Sequence, residues 1–255
     1  MIADHCLNES MSENKENLQK DKEMGIIDHL TEFRKRLIVC FAAVGIFTAT
    51  AYLFSNQLLS FLTSPARFTS LTSLKPTEAF MAKMKIAVIF GVLASSPIIF
   101  YQIWSFVSPA LKRTEKKVIP LLVSVSTLLF LAGVSFAFFI VLPMGLKILA
   151  GFSGDEIVNI WSIGAYISFL IKIILVFGLV FELPLIILFL TKIGIVTPKI
   201  LAEKRKYALI LFFVAGAVLT PPDILTQIFV ALPLIVLYEA SIILAKIFVR
   251  SKSAA

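Results

Sequence analysis

Three stretches, Leu37–Ala66, Ile86–Leu111 and Val118–Leu142, contain no Asp, Glu, Lys or Arg. A helix needs about 20 predominantly apolar residues to cross a bilayer, and each of these runs exceeds that length. Ile173–Thr191 carries a single charge, Glu182, while Tyr207–Pro222 and Ile224–Tyr238 are uncharged but shorter. In hydrocarbon, a helix satisfies its own backbone and needs no neighbour to do so. The runs therefore predict an all-α membrane protein with six transmembrane helices, the last two short. Composition agrees: 16% of residues are charged and the mean hydropathy is +0.93, against about 25% charged in soluble domains.

A net charge of +8 raises nucleic acid as a partner, but the distribution of the charge argues against it. Eighteen of the 24 Lys and Arg residues fall before the first run, between the second and third, between the fourth and fifth, or after the sixth. Only Arg67, Lys75, Lys83, Lys85 and Lys147 fall on the other side, and Lys172 lies within the fourth run. The positive-inside rule then places both termini in the cytoplasm, as an even number of spans requires.

Residues 1–23 are polar and lack the apolar core of a secretory signal, so they are expected to be a disordered tail. The membrane domain is expected over 24–250, with 251–255 as a cytoplasmic tail. Ile26, Leu30, Phe33 and Leu37 recur at helical spacing and predict an amphipathic helix over 25–36, lying on the cytoplasmic surface before span one. The segments "TSPARFTSLTSLKPTEAF" and "GFSGDEIVNIWSIGAY" read as external loops, the second with Trp161 and Tyr166 as interfacial aromatics. "TPPD" is the third external connection, with Asp223 able to cap the last helix.

The chemistry of an enzyme is missing. There is no GxxxxGK[ST] and no HExxH, and the only histidines, His5 and His29, lie outside the apolar runs. Cys6 and Cys40 stand alone and suggest neither a disulfide nor a metal site. No enzyme activity, cofactor, metal or nucleic-acid partner is expected.

Five segments occur in order: "DHLTEFRKRL", "PTEAF", "YQIWSFVSPALKRTEKK", "FGLVFELP" and "RKYALILFFVAGAVLTPPDILTQ". Together, over roughly 24–250, they resemble TatC, the multi-spanning component of the twin-arginine protein translocase. The resemblance implies a concave six-helix bundle in the bacterial cytoplasmic membrane. It implies a receptor for twin-arginine signal peptides of folded cargo, assembly with TatA, TatB and further TatC copies, and drive from the proton-motive force. Pro65, Pro97, Phe106, Pro184, Pro221, Pro222 and Asp223 are the motif's structural landmarks here.

Glu32 admits two readings: an i,i+4 pair with Arg36 on a surface helix, or, by the resemblance, an acid that holds a signal arginine. Carboxylates bind guanidinium groups bidentately. Glu115, the only acid in "LKRTEKK", is either a helix-start carboxylate favoured by the dipole or the second acid of that site. Leu30, Phe33 and Arg34 would shape the site. Glu182 precedes Pro184, which should free the carbonyl of Val180. The acid could serve that broken ladder, or, by the resemblance, meet a partner's polar residue. Thr220 and Gln227 could likewise face a partner or bond between helices, and Glu239 could be a solvated boundary residue. Lys172 is expected to snorkel towards the interface. A rival reading makes the chain a proton-coupled solute carrier with Glu182 as relay.

Overall fold

The computed structural model describes residues 30–66, 70–107, 118–151, 160–219 and 224–253. Its elements are helices and two three-residue strands. The first helix, α1 (Leu30–Leu53), is long and apolar enough to cross a membrane. After a break at Phe54 come α2 (Ser55–Leu62) and a 3-10 turn, Ser64–Ala66, that contains Pro65. Strand β1 (Ser70–Thr72) leads to α3 (Glu78–Val107), which runs through Pro97 without ending. Next are α4 (Ile119–Phe136), one π turn over Ala137–Val141, and α5 (Leu142–Gly151). Strand β2 (Ile160–Ser162) opens α6 (Ile163–Phe181), and α7 (Leu183–Lys192) continues it past a turn at Glu182. The chain closes with α8 (Pro198–Glu203), α9 (Arg205–Leu219) and α10 (Ile224–Ser253).

Five segments among the described residues have the length and hydropathy of a membrane span: Leu30–Leu53, Glu78–Val107, Ile119–Gly151, Ile163–Lys192 and Thr226–Ile247. The helix ends sharpen the expected spans, and one expectation needs correction. Of the surface helix expected over 25–36, residues 30–36 form the first turns of α1, and 25–29 lie outside the described residues. The third span continues past Leu142, because the π turn absorbs the N–H missing at Pro143 and the helix resumes. The last span is not short. It runs across Glu239, whose charge the Arg205 guanidinium neutralises with contacts of 2.8 Å from Nε and Nη2.

Lipid is as apolar as a leucine side chain, so helices in a membrane are held by close packing and hydrogen bonds rather than by hydrophobic burial. The centre is α6, whose Ile167, Leu170, Ile173 and Phe177 are almost fully buried against α3, α4 and α10. Its approach to α4 depends on glycine at two facing positions. A Cβ on Gly133 would sit 2.6 Å from the Phe177 carbonyl oxygen, and one on Gly178 would sit 2.6 Å from the Phe130 ring. By contrast α1 rides on the outside, with Phe41, Ile46 and Leu53 more than two-thirds exposed.

At one end of the bundle, β1 and β2 pair in parallel, with Leu71 opposite Trp161. Glu78 fastens this end. Its carboxylate accepts the N–H groups of Leu74 at 2.7 Å and Gly164 at 2.9 Å, together with the Ser162 hydroxyl. Trp161 is therefore a strand residue, and Tyr166 is not an interfacial aromatic. It is 3% exposed, and its hydroxyl donates to the Leu62 carbonyl at 2.7 Å.

Candidate functional site

The other end of the bundle, where α1 begins and α3 finishes, holds Glu32 and Arg34 of the polar residues singled out from the sequence. Residues 99, 102, 103 and 106 share one face of α3 by helical spacing and meet α1 there. The Arg36 guanidinium joins the two helices. Nε and Nη2 donate to Glu32 Oε1 at 3.0 and 2.5 Å, and Nη1 donates to Gln102 Oε1 at 3.1 Å. The Phe33 and Phe106 rings meet with centroids 5.5 Å apart. Between the helices lies a cavity of about 360 Å³ lined by Phe33, Arg36, Leu37, Cys40, Ile103 and Phe106, among others. Leu30 is 61% exposed and stands outside this contact, and Arg34 is also exposed.

Glu32 thus has the i,i+4 partner that its sequence position suggested. Gln102, the residue that ties this pair to α3, was not singled out; its place in "YQIWSF", four residues before Phe106, was the available signal. Glu115 lies outside the described residues, as do Thr220, Pro221, Pro222 and Asp223.

Two residues beyond Gln102, Trp104 points the opposite way along α3. Its indole N–H donates to Ser126 Oγ on α4 at 2.9 Å, and the Ser126 side chain lies near the Glu182 carboxyl. Glu182 is 5% exposed and its Oε1 has no hydrogen-bond partner. The expected broken ladder is mended differently. At the end of α6 the carbonyls of Leu179 and Val180 both receive backbone N–H groups, with Glu182 N–H reaching Leu179 O at 3.1 Å. The carboxyl is therefore not spent on the Val180 carbonyl but turned across to α4. Pro184 sits in the first turn of α7, where its missing N–H costs nothing. Leu185 and Phe189 of α7 close over Trp104, with the Trp104 and Phe189 rings 4.9 Å apart and nearly perpendicular.

Gln227, on α10, donates from Nε2 to the Phe213 carbonyl at 2.9 Å. This is the inter-helix bond that the sequence left open as one of two readings. Glu239 is a paired residue, not a merely solvated one.

Known proteins resemble this chain over most of its length. The family model described as Sec-independent protein translocase protein (TatC) matches residues 28–233. The chain belongs to the TatC family. A TatC of Carboxydothermus hydrogenoformans is 43% identical over 236 residues, covering 91% of this chain and 97% of that protein. A TatC of Aquifex aeolicus is 40% identical, covering 90% and 98%. A crystal structure of the twin-arginine translocase receptor TatC superposes with a TM-score of 0.79 at 40% identity, covering 86% of this chain and 98% of that one. This TatC-family chain is therefore a membrane protein of the Sec-independent translocation machinery, and the solute-carrier reading is not favoured.

Proposed function

We propose that the chain is the signal-peptide receptor of a twin-arginine translocase, with Glu32 and Glu115 together binding the paired arginines of folded cargo. One observation carries the reading: Glu32 already holds a guanidinium, that of Arg36, at 2.5–3.0 Å, beside an apolar cavity at the end of α1. A carboxylate placed to accept a planar fork of N–H donors has the chemistry that arginine recognition needs. Leu30, Phe33 and Arg34 border the same end of α1. The solved TatC structure that this chain resembles is that of a twin-arginine translocase receptor, which supports carrying that role to this chain.

In this reading the α1 end faces the cytoplasm, both termini are cytoplasmic, and α9 is the short fifth span of a concave six-span bundle in the bacterial cytoplasmic membrane. TatA, TatB and further TatC copies assemble around it, and the proton-motive force supplies the energy. Exposed apolar residues of α9, among them Ile210, Val214 and Val218, give such partners a surface.

The Glu32→Ala, Glu115→Ala double variant should abolish export of a twin-arginine reporter at normal protein levels. A photo-crosslinker at either position should capture a twin-arginine peptide and fail with a twin-lysine one. Unchanged export in the double variant would overturn the site assignment.

A further inference from the structure

The opposite end of the bundle holds a second polar arrangement, inside the span region and on the lipid-facing surface. Glu78 binds the backbone of Gly164, so α3 and α6 start side by side and run in the same direction. Lys85 lies seven residues into α3 from Glu78, and Lys172 eight residues into α6 from Gly164. At ~1.5 Å per residue both sit about 10–12 Å below that start, at matched depth. Both are exposed, and both line one groove of about 510 Å³ between the helices.

The groove is built around them. Ser168 Oγ donates its single proton to the Gly164 carbonyl at 2.6 Å and so must accept from Lys85 Nζ, at 2.8 Å. That fixes the Lys85 ammonium against α6 with two N–H donors to spare. Lys172 is one turn beyond Ser168 on the same face, and helical side chains lean towards the N-terminus, which carries its ammonium towards Lys85. Neither lysine has a carboxylate partner among the described residues, and no residue lining the groove is acidic. Two like charges in a poorly screened setting repel, and each is costly at this depth unless compensated. An anion between them removes both penalties. The remaining wall, Met81, Met84, Val88, Val92, Ile171 and Leu175, is apolar and fits acyl chains, with methionines able to adapt to them.

We propose that Lys85, Lys172 and Ser168 form a binding site for an anionic phospholipid, its phosphate between the two ammonium groups and an acyl chain along the methionine wall. The full chain, purified in mild detergent and titrated with phosphatidylglycerol under native mass spectrometry, should retain it in preference to phosphatidylcholine. The Lys85→Gln, Lys172→Gln pair should weaken phosphatidylglycerol about thirtyfold and leave phosphatidylcholine unchanged. Lys172→Gln alone breaks no hydrogen bond among the described residues and should weaken it about fivefold. Lys246→Gln, exposed on α10, should change nothing. Equal retention of the two lipids, or of phosphatidylglycerol by all variants, would overturn the site. So would displacement by millimolar inorganic phosphate, which would make it a free-anion site. A photo-crosslinker at Met84 should give lipid adducts in intact membranes; protein adducts alone would assign the groove to an acidic partner helix instead.

Discussion

Glu182 shows how a buried acid is tolerated among apolar helices. Its carboxyl lies near Ser126, whose Oγ accepts the Trp104 indole N–H. Removing that hydroxyl orphans the buried indole N–H, at about 1–3 kcal/mol for a group left unsatisfied. Ser126→Ala should therefore destabilise the chain in detergent more than Glu182→Gln, which keeps the side chain's shape and a hydrogen-bonding oxygen. Thermal unfolding would rank the two variants, and Trp104 emission should shift in Ser126→Ala. Equal melting temperatures would remove the network from the stability account. The sequence makes the cost of Glu182 legible, because a lone acid in an apolar run stands out. It does not disclose Ser126, 56 positions earlier and one serine among several in its helix. The same division runs through the Glu32 site. Arg36 follows from i,i+4 spacing, whereas Gln102 is 66 positions away and becomes a neighbour only through the packing of α1 on α3.

Helices are the level at which the sequence is most informative, since uncharged runs reveal spans regardless of what packs on them. The interruptions are less visible. The breaks at Phe54 and Glu182 and the π turn before Pro143 follow from backbone accounting, which hydropathy does not record. Nor does hydropathy foresee β1 and β2, three residues each, which form only because Glu78 and the helix starts hold them together. Glycines at the α4–α6 contact can be weighed against each other. A methyl on Gly133 meets the Phe177 backbone oxygen at 2.6 Å, which can move only if the helix moves. On Gly178 it meets the Phe130 ring, a side chain with rotamers to use. Overpacking costs about 1–3 kcal/mol where neighbours can adjust. Gly178→Ala should fall in that range and Gly133→Ala above it, as measured by unfolding or by the fraction recovered folded after solubilisation. The reverse order would show that Phe130, packed edge-on against Phe100, is the more rigid wall.

For the whole molecule, the number of crossings is the decisive quantity, and it turns on α9. Charge runs count six spans; helix length counts five, because α9 has 15 residues and rises only about 22 Å against a hydrocarbon core of about 30 Å. Its pairing with α10 argues that it crosses. Arg205–Glu239 joins the two helices near one end and Gln227–Phe213 towards the other, with the Phe212 and Tyr238 rings 5.9 Å apart between them. Antiparallel to a helix of span length and bonded to it near its start and at its middle, α9 is expected to cross beside it. A deficit of about 8 Å is then met by local thinning of the bilayer or by partner helices, at fractions of a kcal/mol per Å. Single cysteines decide the matter once Cys6 and Cys40 are replaced by serine. With Lys199→Cys and Asp223→Cys in intact cells, a membrane-impermeant maleimide should label position 223 directly and position 199 only after lysis. Labelling of both from one side would mean that α9 does not cross, and both termini could then no longer share a compartment. The reverse pattern would keep six spans but invert them, turning the Glu32 end outward and away from any cytoplasmic signal peptide.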